Sequence, residues 1–294
     1  MSITAKNLSF QYETGTPFVI DALQDINFTI KRGEFVGIMG HTGCGKSTLF
    51  QIICGLINPT NGTILIDNED IFKHHQSYKR HKYDYDRKSL RKKLGIVFQY
   101  PENQLFETTV EKDVAYGLKH INMPASEINN RVQWALELMG FSYETIRHIS
   151  PLSLSGGEKR RVAIAGILAI RPDYLLLDEP IAGLDPVMRN HFMKLLQKLN
   201  QDGMTILMIS HNADCISEYT KRLFILEKGH LIADGTTCHL FSDIDWMESH
   251  QLGINQSKLI ACKLQKYGWN IPKNTTTYKE LLYSLQTVIK SSSK

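Results

Sequence analysis

The sequence predicts an α/β fold with a mainly parallel sheet flanked by helices. Two apolar runs, at residues 174–177 and 205–210, are typical of strands buried on both faces, and segments of helical periodicity lie between them. A third apolar run, at residues 34–40, is followed by a glycine-rich loop and then by apolar residues at helical spacing. Buried strands that alternate with helices favour a parallel sheet covered on both faces.

Other parts of the chain have different patterns. Residues 2–10 and 26–36 cluster apolar residues between glycine and polar breaks, which predicts short strands and an antiparallel β region. Residues 110–141 have a helical pattern broken near Pro124, which predicts an inserted α-helical subdomain at about residues 105–165. After residue 240 come two amphipathic helical patterns, the first closed by Gly268 and the second opened by a capping box of Thr277 and Glu280. We expect a main domain at residues 1–240 and a small C-terminal, α-containing appendage at residues 241–294.

Length and charge set limits on the class of protein. The 294 residues, 42% of them hydrophobic, are enough to bury a large core. The formal net charge of +4 is too small to indicate nucleic acid, and no nucleic-acid partner is expected. Residues 71–93 are rich in Lys, Arg and His. They predict either a solvated surface helix and loop or a basic face near anionic lipid headgroups.

Cysteine usage and hydropathy indicate the cellular compartment of the protein and its relation to a membrane. The five cysteines form no CxxC pair and no Cys/His cluster, so neither a zinc site nor a disulfide framework is predicted, and a reducing cytosolic setting fits best. The first ten residues lack a signal-peptide pattern, and no apolar run reaches the ~18 residues needed to span a bilayer. We therefore expect any membrane role to come through a partner.

The clearest motif is the sequence GHTGCGKS at residues 40–47, which matches GxxxxGK[ST] between a predicted strand and a predicted helix. Its glycines let backbone N–H groups face phosphates, and the helix N-terminus adds a favourable dipole. Lys46 should reach the β- and γ-phosphates, and the Ser47 hydroxyl should hold Mg²⁺. The alternative is a glycine-rich turn with an incidental lysine. The motif predicts a P-loop NTPase that binds ATP and Mg²⁺ through Gly40, His41, Thr42, Gly43, Cys44, Gly45, Lys46, Ser47 and Thr48.

Polar residues at the ends of other predicted strands complete this site. Asp178 and Glu179 follow the apolar run 174–177, at the sheet edge where the phosphate loop also lies. We predict that Asp178 binds Mg²⁺ through water and that Glu179 polarises the attacking water, although an isolated Asp-Glu pair can also be a helix cap. Gln99 is predicted to bind Mg²⁺ and water, and His211 to contact the γ-phosphate. The predicted catalytic set is Glu179, His211, Lys46 and Gln99, and the predicted metal set is Ser47, Gln99 and Asp178.

The sequence LSGGE at residues 154–158, followed by KRR, resembles the signature motif of the ABC (ATP-binding cassette) family. Further residues that match the family pattern occur in the family's order: Tyr12, Gln99, the Asp-Glu pair, AGLD at residues 182–185 and His211. The resemblance covers about residues 2–240. It implies that Tyr12 stacks on adenine and that AGLD communicates across a dimer interface.

The resemblance also implies that Ser155, Gly156 and Gly157 complete the nucleotide site of an opposite subunit. A hydroxyl and bare backbone N–H groups ahead of a helix are suited to binding an anion. Two such chains would then sandwich two ATP molecules, each between one phosphate loop and the other chain's signature motif.

A narrower resemblance comes from residues 98–117, 41–48 and 161–186, which are similar to the energy-coupling factor type of ABC transporter ATPase, and to the second of its two paralogous ATPases. It implies a peripheral subunit at the cytoplasmic face of the cell membrane that energises uptake of a vitamin or metal ion. The implied partners are a related ATPase in a heterodimer, a membrane-embedded coupling protein and a substrate-binding membrane protein. Cys44, Glu158 and Ile181 depart from the usual Ser, Gln and Thr.

Three other classes of protein are alternatives to this assignment. A soluble ABC ATPase of translation or chromosome maintenance would need two cassettes or a long coiled coil, and neither pattern is present. A soluble ABC ATPase of iron–sulfur assembly stays open as an alternative. A P-loop kinase would lack LSGGE, and a purely regulatory module would not need Glu179 and His211. Residues 100–106 leave two possibilities open: Leu105 and Phe106 pack into the helical subdomain, or the loop lines a groove that receives a helix of a membrane protein.

Overall fold

The computed structural model describes residues 2–72, 87–121 and 123–292. Residues 73–86, most of the basic segment predicted at 71–93, lie outside the described residues, so both interpretations of that segment stay open. The strands, in chain order, are β1 (Ser2–Tyr12), β2 (Ile20–Lys31), β3 (Phe35–Gly40), β4 (Asn61–Ile66), β5 (Glu69–Asp70), β6 (Leu94–Val97), β7 (Tyr174–Asp178), β8 (Thr205–Ile209), β9 (Arg222–Glu227) and β10 (His230–Thr236).

Six of these strands form the main sheet in the order β10-β9-β3-β8-β7-β6. All neighbours are parallel except β9 and β10. In β7, Leu175 and Leu177 belong to one hydrophobic cluster and Leu176 to another, as the alternation of side chains along a strand requires. The sheet is therefore buried on both faces, which explains why its central strands are continuous apolar runs.

The remaining four strands form an antiparallel sheet in the order β2-β1-β4-β5. The predicted stretch 26–36 contains the end of β2 and the start of β3. A turn separates them, in which Glu34 N donates to Lys31 O at 3.2 Å and Gly33 has a φ of +77°. The predicted fold class, a mainly parallel sheet with helices and an antiparallel region, is confirmed.

The helices are α1 (Lys46–Ile53), α2 (Arg87–Lys93), α3 (Val110–Lys119), α4 (Ala125–Leu138), α5 (Tyr143–Ile146), α6 (Gly156–Ala169), α7 (Pro186–Gln201), α8 (Ala213–Tyr219), α9 (Thr237–Ser242), α10 (Ile244–Ser249), α11 (Gln256–Lys266) and α12 (Tyr278–Ser292). Short 3₁₀ helices lie at Pro101–Gln104 and Pro151–Ser153. Thr109 caps α3 by accepting from Lys112 N, and Pro124 precedes α4, where its missing N–H costs nothing. Helices α3, α4 and α6 pack together on one face of the main sheet.

The C-terminal region has two kinds of packing. Phe241, Met247 and Leu252 belong to the cluster on one face of the main sheet, whereas α11 and α12 share a small cluster centred on Ala261 and Leu281. The capping box at Thr277 and the positive φ of Gly268 are both present, as predicted. The division of the chain at residue 240 stays a prediction. Within the described ranges, no helix is both long and apolar enough to cross a bilayer.

Candidate active site

The phosphate loop runs from the end of β3 to the start of α1, and Lys46 binds back onto it. Lys46 Nζ donates to the carbonyl oxygens of Gly40 and His41, both at 2.7 Å. Thr42, Gly43 and Ser47 are exposed, whereas the Cys44 side chain is buried and lies with its Sγ 3.7 Å from Lys46 Nζ. A phosphate would offer the ammonium a charged acceptor in place of these neutral carbonyls, which adds the attraction between opposite charges.

Two glycines allow this loop to pass close to neighbouring backbone. Gly40 has a φ of +151° and Gly45 a φ of +106°, and a Cβ on either would collide with a carbonyl oxygen, that of Leu226 or that of Ala22. Any other residue at these two positions would displace β9 or β2. Close packing against neighbouring backbone thus requires glycine at positions 40 and 45, in addition to the phosphate contacts predicted from the sequence.

Tyr12, at the end of β1, lies beside the start of α1. Its hydroxyl is 3.1 Å from Thr48 Oγ1, and its ring packs edge-on against Phe10 at a centroid distance of 4.8 Å. The antiparallel sheet therefore brings Tyr12 next to the phosphate loop, as the proposed adenine contact requires. Stacking on adenine stays a prediction.

The acidic pair lies at the carboxyl end of β7. Burial, followed by the negative charge of Glu179, raises the pKa of the Asp178 carboxyl, and the charge of Lys46 acts in the opposite direction. Two carboxylates side by side in a partly desolvated place are electrostatically unfavourable, and a divalent cation would relieve this. Carboxylate, hydroxyl and amide oxygens are also the donors that Mg²⁺ prefers, so Asp178, Ser47 and Gln99 fit that ion chemically.

Glu179 is held by the strand next to its own. Its Oε1 accepts from His211 N at 3.0 Å and lies 2.7 Å from His211 Nδ1, and Ser210 Oγ is 3.3 Å from its Oε2. Glu179 has a φ of +48°, a left-handed conformation that is uncommon outside glycine. Because an ionised carboxylate only accepts, Nδ1 carries the proton in that state. The His211 side chain is 79% exposed, so Nε2 is accessible to a ligand.

Gln99 lies in the turn after β6. Val97 of β6 pairs with Leu177 of β7, so Gln99 lies at the same sheet edge as Asp178 and Glu179. Its side chain is exposed. Thus the ends of β3, β6, β7 and β8 bring Lys46, Gln99, Glu179 and His211 to one edge, as the sequence predicted.

The signature residues form the N-terminus of α6. Ser155 is its N-cap: Glu158 N donates to Ser155 Oγ at 3.4 Å, and Ser155 Oγ in turn donates to Glu158 Oε2 at 2.7 Å. Ser155, Gly156 and Gly157 are exposed, and a Cβ on either glycine would meet open space. In the part of the chain described, none of the three is hydrogen-bonded to the phosphate loop. The Ser155 N–H donates to Glu158 Oε2 at 2.9 Å, whereas the N–H groups of Gly156 and Gly157 lie in the exposed first turn of α6, where an external anion can bind.

Comparison with known proteins identifies the family. The profile described as "ABC transporter" matches residues 23–182, more than half of the chain. The energy-coupling factor transporter ATP-binding protein EcfA2 of Clostridium tetani is 43% identical over 95% of this chain and 94% of its own length. The EcfA2 protein of Latilactobacillus sakei is 42% identical over 97% and 96% of the two chains.

The chain belongs to the energy-coupling factor group of ABC transporter ATPases. It is an ATPase of the class that couples hydrolysis to transport, as its sequence predicted. Among solved structures, cbiO1 of Clostridium perfringens, described as part of the ABC transporter complex cbiONQ, matches with a TM-score of 0.71 and 37% identity over 90% of this chain and 96% of cbiO1. The ATP-binding cassette MJ0796, in a dimer bound to ADP and Pi, matches with a TM-score of 0.70 and 33% identity over 80% of this chain and 98% of MJ0796.

One residue that supports this ATPase site was not singled out from the sequence. Arg160 of α6 is 4% exposed, and its guanidinium donates to the carbonyl oxygens of Glu179, Pro180 and Ala182 at 3.3, 2.8 and 2.7 Å. Desolvation lowers the pKa of Arg160, and the negative charge of Glu102 opposes this effect. The only signal in the sequence was its place in the KRR run after the signature, and a basic run does not reveal which of its members is buried.

Leu105 and Phe106, in the loop after Gln99, differ in burial. Leu105 packs against the main core cluster, whereas Phe106 is 63% exposed and contacts Tyr116 edge-on at a centroid distance of 4.9 Å. Asp113 of α3 accepts from the backbone N–H groups of Phe106 and Glu107, which fixes this part of the loop. Leu105 therefore packs as the first of the two possibilities predicts, whereas a groove that receives a helix of a membrane protein stays a prediction.

Proposed function

We propose that the crevice at the carboxyl ends of β3, β7 and β8 binds ATP through its phosphates and hydrolyses it, with Glu179 acting on the attacking water. The observation that supports this most strongly is the hydrogen bond between the Glu179 carboxylate and the His211 ring. It fixes a carboxylate at the same sheet edge as the phosphate loop. A fixed carboxylate beside a bound γ-phosphate is placed to accept a proton from water.

The remaining roles follow from position. Lys46 exchanges its loop carbonyls for phosphate oxygens and balances their charge. His211 Nε2 donates to a γ-phosphate oxygen only as an imidazolium, because Nδ1 already carries a proton toward an ionised Glu179. Ser47, Asp178 and Gln99 would hold Mg²⁺, which supplies charge neutralisation on the phosphates when bound.

The proposal extends to the assembly. The exposed N-terminus of α6 supports a dimer in which Ser155, Gly156 and Gly157 bind the nucleotide held by a second, related ATPase. The names of the relatives, which describe a transporter and a transporter complex, support a place for the chain in a multi-subunit membrane transporter. We infer that it lies at the cytoplasmic face of the cell membrane, with a membrane-embedded coupling protein and a substrate-binding membrane protein as partners. The cargo of such a complex is a micronutrient, a vitamin or a metal ion.

Two substitutions test the catalytic assignment. Glu179→Gln should reduce ATP turnover by at least about a hundredfold while ATP binding stays within a few-fold of wild type, because only the proton acceptor is removed. Lys46→Ala should weaken binding and turnover together. Both are measured on the assembled complex by phosphate release and by nucleotide titration. Wild-type turnover in Glu179→Gln would show that another group acts on the water.

A further inference from the structure

His41, the second residue of the phosphate loop, is bound at two points. Its carbonyl oxygen accepts from Lys46 Nζ at 2.7 Å, and its ring Nε2 lies 2.6 Å from the carbonyl oxygen of His250. A carbonyl oxygen only accepts, so Nε2 carries the proton and donates to it. The side chain is half-buried. The loop is therefore fastened to the turn after α10 by a residue that also contacts the lysine of the phosphate site.

The acceptor is rigidly held. His250 follows the last residue of α10, where its N–H donates to Trp246 O at 3.2 Å and its ring lies 4.2 Å from the Trp246 ring centroid. Leu252 N donates to Met247 O at 2.9 Å and closes the turn that follows. Met247 and Leu252 are both buried in the main core cluster. The carbonyl that His41 binds is thus part of the packed structure.

The same segment continues to the residues that follow His211. A Cβ placed on Gly253 would lie 3.7 Å from the His211 carbonyl oxygen and 3.6 Å from Ala213 Cβ. Three residues later, Gln256 N donates to Asp214 Oδ1 at 2.7 Å. We call residues 250–256 the bridging segment. His250, at one end of this segment, contacts the phosphate loop. Gln256, at the other end, contacts Asp214 in the first turn of α8, which begins shortly after His211.

We propose that His41 is a positioning residue, whose imidazole fixes the start of the phosphate loop to the bridging segment and so holds the loop in the conformation that accepts ATP. The proposal rests on the assignment of residues 40–47 as the phosphate site. Three glycines within eight residues give that loop many conformations to lose when nucleotide binds. A hydrogen bond from the loop to the bridging segment restricts those conformations and so reduces that loss, and this connection couples the bridging segment to ATP binding in both directions.

The test uses the full-length chain with Glu179→Gln, so that ATP is not consumed during titration. His41→Ala should weaken ATP binding by about two- to tenfold, the equivalent of one net hydrogen bond. His41→Gln, whose amide N–H occupies a place similar to that of Nε2–H, should restore binding to within about twofold of the parent. His239→Ala, on α9 and away from the loop, serves as the matched control. Amide hydrogen exchange should show that ATP protects residues 250–256 in the parent but not in His41→Ala.

Three outcomes would overturn the proposal: unchanged ATP affinity in His41→Ala, a Gln variant as weak as the Ala variant, or exchange in residues 250–256 that ignores ATP in the parent. Retained ATP binding in Lys46→Ala would instead refute the phosphate-site assignment. The two failures are therefore distinguishable.

Discussion

At the scale of single residues, the backbone of Glu179 is held on both sides. Its N–H donates to Ile209 O at 3.0 Å, and its carbonyl accepts from the buried Arg160. Its left-handed φ is a conformation that costs roughly 1 kcal/mol or more and persists only when its surroundings enforce it. The sequence predicted the role of Glu179 because an acid follows an apolar strand. It did not predict Arg160, because the partner of a buried guanidinium is decided by tertiary packing.

Removing the Arg160 guanidinium should affect catalysis and stability together. Arg160→Met leaves the carbonyls of Pro180 and Ala182 without a donor, and we expect a loss of about 2–4 kcal/mol in the free energy of unfolding. In the folded protein, ATP turnover should fall more than ATP affinity, because the base is displaced while the phosphate loop is intact. Urea unfolding and steady-state kinetics measure the two effects. Lys159→Met, at the neighbouring and partly exposed position, is the control, and an equal loss there would argue against a specific role.

Glu158 offers a prediction that concerns charge. Hydrogen bonds from the Ser155 hydroxyl and N–H lower the pKa of Glu158, so its carboxylate is ionised at neutral pH and lies beside the proposed anion site. Glu158→Gln keeps an acceptor for the cap and removes the charge. ATP-dependent dimerisation should therefore strengthen by about three- to tenfold, measured by sedimentation. Weaker dimerisation would show that the charge aids assembly.

The lowered pKa of Glu158 also predicts how the free energy of unfolding changes with pH. A carboxyl group whose pKa is lowered by folding stabilises the folded protein at pH values above its ordinary pKa. This stabilisation is lost as the pH falls through the lowered pKa. The difference in unfolding free energy between wild type and Glu158→Gln should therefore shrink on acidification. A difference that grows with acid would contradict the assignment of the cap.

At the scale of elements, the carboxyl edge of the parallel sheet explains why much of the site was predictable. Strand ends at Asp178, His211 and Gln99 follow apolar runs that the sequence shows plainly, and parallel strands bring their ends to one edge. The 3₁₀ helix at Pro101–Gln104 and the contact between His41 and His250 were not predicted. Both depend on packing between segments far apart in sequence, which periodicity does not encode.

The loop after Gln99 is a candidate contact for a membrane protein. Phe106 is exposed and its backbone is fixed by Asp113, which suits an anchor for a short amphipathic helix of a membrane protein. Phe106→Ala combined with Gln104→Ala should uncouple transport from ATP hydrolysis or release the membrane subunit, with ATP affinity unchanged. Tyr267→Ala, at an exposed aromatic residue that follows α11, is the control. Normal transport in vesicles by the intact double variant would place the contact on another surface.

At the scale of the whole molecule, the phosphate loop and the signature motif act in different ATP sites of the proposed dimer. Ser155→Arg in this chain should damage the site whose phosphate loop belongs to the partner, because the added side chain occupies the space above the N-terminus of α6. Trapping labelled nucleotide in each subunit separately measures this. Loss of nucleotide at the Lys46 of the same chain alone would overturn the proposed exchange of motifs.

The order of strands in the main sheet has a consequence for biosynthesis. The central strand β3 is complete by Gly40, yet its two neighbours are β8 and β9, more than 160 residues later. Phe241, Met247 and Leu252 come later still and fill the same core. A nascent chain on the ribosome therefore exposes an unpaired apolar strand through most of translation, and pairing at such long sequence separation is slow. The ATP site is completed only once His211 has been made, and until then the apolar strand β3 is exposed to contacts that favour aggregation.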